Sequence, residues 1–330
     1  MKPSIFPQKL NPGDEIRIVA PSMSAKTLVK ERRKIANVQL GKLGLRVSYG
    51  KHIDELDDFE SSSIESRIVD LHEAFLDKNV KGIIAARGGF NSNQLFRYID
   101  YNLIRKNPKI FGGYSDITGI TNAIYAKTGL VTYSMPTYSH FGQKLNLSYE
   151  LDYSKKCLME DNSYILEPSK SWFDDGDWDE NEKQRGIEKN DGYLCINEGE
   201  AKGTLIGGNA TLMGILQGTE YFPKLNNSVL FLEDDYEIHP KSFDANLQSF
   251  IHLPDFEGVR GIVIGRFQKA TKMTDNLLIQ IIKTKRELQD IPVIANVDFG
   301  HTAPIITFPI GGEVSIKSTS AKYTITVLKH

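Results

Sequence analysis

The chain has 330 residues, enough for two compact domains, each with its own core. Apolar residues make up 40% and charged residues 25%, the balance of an ordinary soluble globular protein. A net charge of −2 gives no basic field to attract nucleic acid, and no apolar run is long enough to span a bilayer.

The N-terminal Met1-Lys-Pro-Ser-Ile-Phe-Pro lacks the apolar core of a secretory signal, so a cytoplasmic protein is expected. Residues 15–20 follow the Pro12-Gly13 turn and read as a first strand. A charged amphipathic helix is predicted over about 27–43 and a second strand over 45–49. Residues 62–78 read as a helix with Ile64, Ile68, Leu71 and Phe75 on one face. Residues 80–86 form a buried strand and 93–99 another helix. A strand ends at Gly113, and a helix follows in which Ile117, Ile120 and Ile124 recur until Gly129 caps it. A strand over 129–133 completes a β-α-β order. That order predicts an α/β fold, with a Rossmann-like parallel sheet over 1–150 carrying helices on both faces.

Composition changes over about 148–199, where Asp174-Asp-Gly-Asp-Trp-Asp-Glu-Asn-Glu-Lys is strongly acidic. Residues 151–200 read as an acidic loop or linker. Regular structure resumes in a smaller α/β domain over 201–330. Its strands are predicted at 199–206, 228–232, 259–264 and 292–297, with helices at 242–253 and 275–288. Residues 313–328 alternate like a hairpin. Cys157 and Cys195 have no thiol or histidine partner at metal-ligand spacing and read as reduced structural thiols. No metal site and no organic cofactor is expected.

Ile110-Phe-Gly-Gly-Tyr-Ser115-Asp reads as a strand turning sharply into a helix, with Gly112 and Gly113 permitting the turn. A hydroxyl there is close to the positive end of a helix dipole, as in several hydrolases that use a serine nucleophile. The usual elbow has glycine two residues after the serine. Here that position is Ile117, so the α/β-hydrolase pattern is not matched. A base is needed, and the chain has seven histidines. His72 is expected to be solvated on a helix. His52, His140, His239 and His252 fall near loops or helix ends, and His330 ends the chain. Only His301 follows a buried strand inside a glycine- and proline-rich turn; the alternative is a turn histidine bonded to local backbone. Glu233, after four apolar strand residues, is the acid candidate. Its alternative is a strand terminus leading into the solvated Asp234-Asp235 loop.

Ser115, Glu233 and His301 each fall just past the C-terminal end of a predicted strand, where ligands of open α/β sheets collect. Gly88-Gly89 also follows a strand. Either it supplies bare N–H groups to an oxyanion, with Asp116 N–H as a second donor, or it is only a tight turn. Asn209 is a candidate for orienting a substrate's polar end. Trp172 and Trp178 either stack on a ligand or pin their loop to the core.

Ala86-Arg-Gly-Gly, Gly113-Tyr-Ser-Asp-Ile-Thr, Leu230-Phe-Leu-Glu-Asp and Gly300-His-Thr-Ala-Pro together resemble the LD-carboxypeptidase family of serine peptidases. Gly88-Gly-Phe-Asn-Ser-Asn-Gln-Leu, Asn122-Ala-Ile-Tyr-Ala-Lys-Thr-Gly, Ile196-Asn-Glu-Gly-Glu-Ala and Leu205-Ile-Gly-Gly-Asn are most similar to its microcin C immunity branch. The resemblance implies a Ser115–Glu233–His301 triad, an oxyanion hole from the Gly89 and Asp116 amides, and a homodimer. It implies hydrolysis of an amide in a small aminoacyl-nucleotide-like toxin, with Trp178, then Trp172, as the base-stacking residue. The same resemblance admits a muropeptide carboxypeptidase of peptidoglycan recycling. A binding module that keeps the fold without chemistry is the reading from another class.

Overall fold

The computed structural model describes residues 3–143, 147–174, 186–319 and 322–330. The chain divides into two compact units. One comprises Met1–Asp161, Gly218–Pro223 and Thr307–Gly311; the other comprises Asn162–Gln217, Lys224–Ile306 and Gly312–His330.

The first unit holds strands β1 (Glu15–Val19), β2 (Arg46–Tyr49), β3 (Val80–Ala85), β4 (Ile110–Gly113) and β5 (Thr132–Ser134). They are parallel and ordered β2-β1-β3-β4-β5. β4 is buried throughout and β3 everywhere except Lys81, as expected of parallel strands covered on both faces. The order reverses between β1 and β3, which opens a crevice at their carboxyl ends. The helices are α1 (Lys30–Lys42), α2 (Ile64–Leu76), α3 (Tyr101–Lys106), α4 (Ile117–Thr128), α5 (Tyr138–Phe141) and α6 (Ser148–Met159). Ile117, Ile120 and Ile124 are fully buried on α4, and Gly129 ends it at φ +81° with its N–H on the Tyr125 carbonyl.

The helix expected over 93–99 is instead a 3₁₀ turn at Ser92–Leu95, with α3 beginning after it. Asp100 sets that start, since its carboxylate accepts from the N–H groups of Asn102 and Leu103.

The second unit contains β6 (Tyr164–Ile165), β7 (Ser171–Phe173), β8 (Ile187–Lys189), β9 (Leu194–Asn197), β10 (Gly199–Asn209), β11 (Ser228–Glu233), β12 (Val259–Gly265) and β13 (Val293–Val297). Helices α7 (Ala210–Leu216), α8 (Pro240–Ile251) and α9 (Asp275–Lys283) follow β10, β11 and β12. β14 (Phe308–Ile310) belongs to the first unit and pairs antiparallel with β5. β15 (Glu313–Ser318) and β16 (Tyr323–Lys329) form the hairpin that the alternation predicts. The second sheet is ordered β6-β16-β15-β10-β11-β12-β13-β9, with β10 to β13 parallel at its centre. The patternless stretch after residue 148 supplies α6 to the first unit and β6 to β9 to the second. Among the described residues, no helix is long and apolar enough to cross a membrane.

Candidate active site

In the first unit, Ser115 stands between the end of β4 and the start of α4 with φ +62°. This left-handed conformation is uncommon for any residue but glycine and is a frequent mark of functional turns. The turn is thus made by the serine itself. Gly112 and Gly113 serve packing instead, because a Cβ on Gly112 would lie 2.5 Å from the Met135 sulfur and one on Gly113 3.0 Å from Ile117.

The loop after β3 runs beside this serine. A Cβ on Gly88 would come within 2.8 Å of both Cβ and Oγ of Ser115 and 3.7 Å from the Asp116 nitrogen. Gly89 has φ +148°, and a Cβ there would be 2.2 Å from Ser22 Oγ. Side-chain-free backbone therefore borders the hydroxyl. Asp116 fastens the same place. Its buried carboxylate accepts from Ser22 Oγ at 2.5 Å and from the Ser92 N–H at 2.9 Å, while Ser92 Oγ donates to the Asp116 carbonyl. One carboxylate ties together the segments that follow β1, β3 and β4. Only the backbone N–H of Asp116 is expected to matter from the sequence. Nothing local in the sequence shows that its side chain turns inward.

In the second unit, Glu233 ends β11 and His301 lies in the turn after β13. His301 Nδ1 is 2.8 Å from Glu233 Oε2, and both side chains are almost wholly buried. Gly300 makes the approach possible: at φ +109°, a Cβ on it would sit 2.7 Å from Glu233 Oε2. With the carboxylate on Nδ1, the Nδ1–H tautomer is favoured and Nε2 is the basic nitrogen. Burial opposes charging the ring. The Glu233 charge, its hydrogen bond and the charges of Asp235 and Asp234 outweigh this, so the His301 pKa is raised.

Asp234 is 2% exposed rather than solvated, and Thr211 Oγ1 donates to it at 3.0 Å. Burial and the neighbouring Glu233 push its carboxyl up to about 7. The His301 turn is anchored by buried Asp298, which accepts from the Ser169 N–H at 2.7 Å and faces Arg266 at 3.5 Å.

Asn209 is the β10 neighbour of Glu233 in strand register, and its Oδ1 caps α7 through the Leu212 N–H. Trp172 on β7 is half-buried. The Arg266 guanidinium lies 4.9 Å and the Lys269 ammonium 5.6 Å from its ring centroid. This ring borders a ≈460 Å³ cavity with Tyr193, Arg266, Lys269, Met273 and Asp275. Trp178 lies outside the described residues. His72 is half-buried rather than solvated, and its Nε2 accepts from the Asp100 N–H. His140, which has no distinctive setting in the sequence, is buried against Glu150.

Two family models match the chain: the LD-carboxypeptidase N-terminal domain over residues 16–135 and the LD-carboxypeptidase C-terminal domain over 202–316. The Bacillus subtilis protein YocD, which carries a provisional carboxypeptidase name, is 49% identical across 99% of this chain and 100% of its own. An MccF-like protein from Bacillus anthracis superimposes at a TM-score of 0.97 with 48% identity, covering 99% of this chain and 100% of that one. The Escherichia coli microcin C7 self-immunity protein MccF is 28% identical over 95% of this chain and 93% of that protein. MccF in complex with glutamyl sulfamoyl guanosine superimposes at 0.88, with 27% identity and 98% of both chains covered. MccF has also been seen with aspartyl sulfamoyl adenosine.

Proposed function

This chain belongs to the LD-carboxypeptidase family, a family of serine-type peptidases, and on that premise we propose that it hydrolyses an amide bond with Ser115, His301 and Glu233 as its triad. The observation that carries the reading is the buried Glu233–His301 hydrogen bond at 2.8 Å on Nδ1. That contact favours the Nδ1–H tautomer and leaves Nε2 as the basic nitrogen, which supports His301 as the general base. Ser115 Oγ attacks the substrate carbonyl while His301 takes its proton, and Glu233 stabilises the imidazolium that forms. Such a base contributes roughly 10²–10⁴-fold. The Gly89 and Asp116 amides receive the developing oxyanion, each donor worth about 3–4 kcal/mol in the transition state. His301 then protonates the leaving amine, and water releases the acyl group with the same base.

The proposed substrate is an acidic aminoacyl group joined to a nucleotide-like moiety. This class is suggested by the sulfamoyl nucleosides held by MccF at 27% identity. Trp172 is the described residue best suited to stack on the base, with Arg266 backing the ring. The test is to incubate wild type and Ser115→Ala with glutamyl sulfamoyl adenosine and with a muropeptide ending in D-alanine. Release of glutamate by wild type alone is expected. Release of D-alanine alone would move the substrate to the cell-wall class. Turnover that survives Ser115→Ala would refute the triad.

A further inference from the structure

Both chain neighbours of Ser115 are tied down by their side chains. Asp116 reaches Ser22 and Ser92. Tyr114 reaches the other way. Its phenol oxygen is 3.3 Å from His140 Nδ1, and the two rings meet edge-on at 5.7 Å and 85°. His140 Nε2 is in turn 2.5 Å from Glu150 Oε1, with both side chains at most 2% exposed. All three residues lie in the first unit. The Nε2–H tautomer satisfies the whole chain, with Tyr114 O–H donating to Nδ1 and Nε2–H donating to the carboxylate.

A fully buried imidazole–carboxylate pair is a poor source of stability, since well-packed apolar residues in its place are often neutral or stabilising. What such a pair supplies is direction. Here the direction is aimed at the residue before a left-handed serine, whose conformation persists only if its surroundings over-determine it. The short helix α5 that carries His140 also donates the Ser139 N–H to the Ala86 carbonyl at 2.8 Å, just before Gly88. One helical turn thus holds the serine loop through a side chain and the glycine loop through its backbone.

We propose that Tyr114, His140 and Glu150 form a positioning network that sets Ser115 Oγ against the Gly88-Gly89 amides. The proposal rests on Ser115 being the nucleophile. It is tested by saturation kinetics of Ser115 labelling with a fluorophosphonate, followed by intact-protein mass spectrometry. Tyr114→Phe deletes one oxygen and keeps the packing. The maximal labelling rate should fall by up to about tenfold, the scale of one lost hydrogen bond. The half-saturating concentration and the melting temperature should stay near wild type, and the ¹⁵N resonances of the His140 ring should shift. Glu150→Gln, which keeps an acceptor for Nε2–H, should retain most of the rate that Glu150→Ala loses. A Tyr114→Phe enzyme that labels at the wild-type rate overturns the network and leaves the nucleophile standing. Failure of wild type to label, or labelling that persists in Ser115→Ala, removes the nucleophile and the network together.

Discussion

Gly88→Ala places the smallest possible side chain against the proposed nucleophile. Its Cβ would lie 2.8 Å from Ser115 Cβ and 2.8 Å from Oγ, whereas carbon atoms rest comfortably at about 3.5–4.0 Å. Something must move by roughly 0.7–1.2 Å on this comparison. Gly88 lies outside the left-handed region, so alanine brings no backbone strain and the whole effect falls on the contact. If the serine rotates away, an off-rotamer twist of about 30° costs ~0.5–1.5 kcal/mol. If the loop retreats instead, a displacement near 1 Å costs about 10²-fold in rate. The expected outcome is a loss of about two orders of magnitude in acylation, with a stability loss of about 1–3 kcal/mol. Fluorophosphonate labelling of Ser115 measures the first and urea denaturation the second. Gly88→Ala labelling at the wild-type rate, in protein shown to be fully folded, would refute the adjacency of hydroxyl and glycine loop on which the reasoning depends.

Ser115→Gly should abolish turnover yet stabilise the fold by up to about 1 kcal/mol, because it relieves a left-handed residue; denaturant midpoints would show it. Glu233→Gln should lower kcat by at least about 10²-fold with little change in KM, since it removes the charge that supports the imidazolium. The base must be neutral to act and the His301 pKa is raised, so the acid limb of kcat/KM should lie above the ordinary histidine value. Removing the Asp235 charge in Asp235→Asn should move that limb to lower pH. Asp234 has a folded pKa near 7, against an ordinary value of 3.8. The folded state therefore holds the extra proton between those values, and stability falls as pH rises through that window. Asp234→Asn should flatten the profile there, as followed by thermal melts from pH 4 to 8.

The parallel strands were legible because burial on both faces leaves uninterrupted apolar runs, as in Val229 to Leu232 and Ile262 to Ile264. β14 was not: Phe308-Pro309-Ile310 is three residues long, contains proline, and pairs with β5, which lies far away in sequence. α7 was hidden because its start depends on the Asn209 side chain accepting from the Leu212 N–H directly at the end of β10. The candidate site divides in the same way. Ser115 and the glycine pair are visible from short-range spacing at strand ends. The inward turn of the Asp116 carboxylate, the burial of Asp234 and the pairing of His140 with Glu150 depend on partners that no periodicity connects. Gly300 was the available clue to the Glu233–His301 contact, as a residue whose missing Cβ makes room for a carboxylate.

The return of β14 to the first sheet has a consequence for how the molecule is made. Ribosomal synthesis delivers Ser115 early, but the strand that covers the free edge of β5 does not exist until residue 310 has been translated. Until then the nascent serine-bearing sheet presents an open backbone edge to any strand it meets. A fragment cut at residue 161 would keep that hazard permanently, so a stand-alone serine-bearing half needs residues 307–311 joined to it as well.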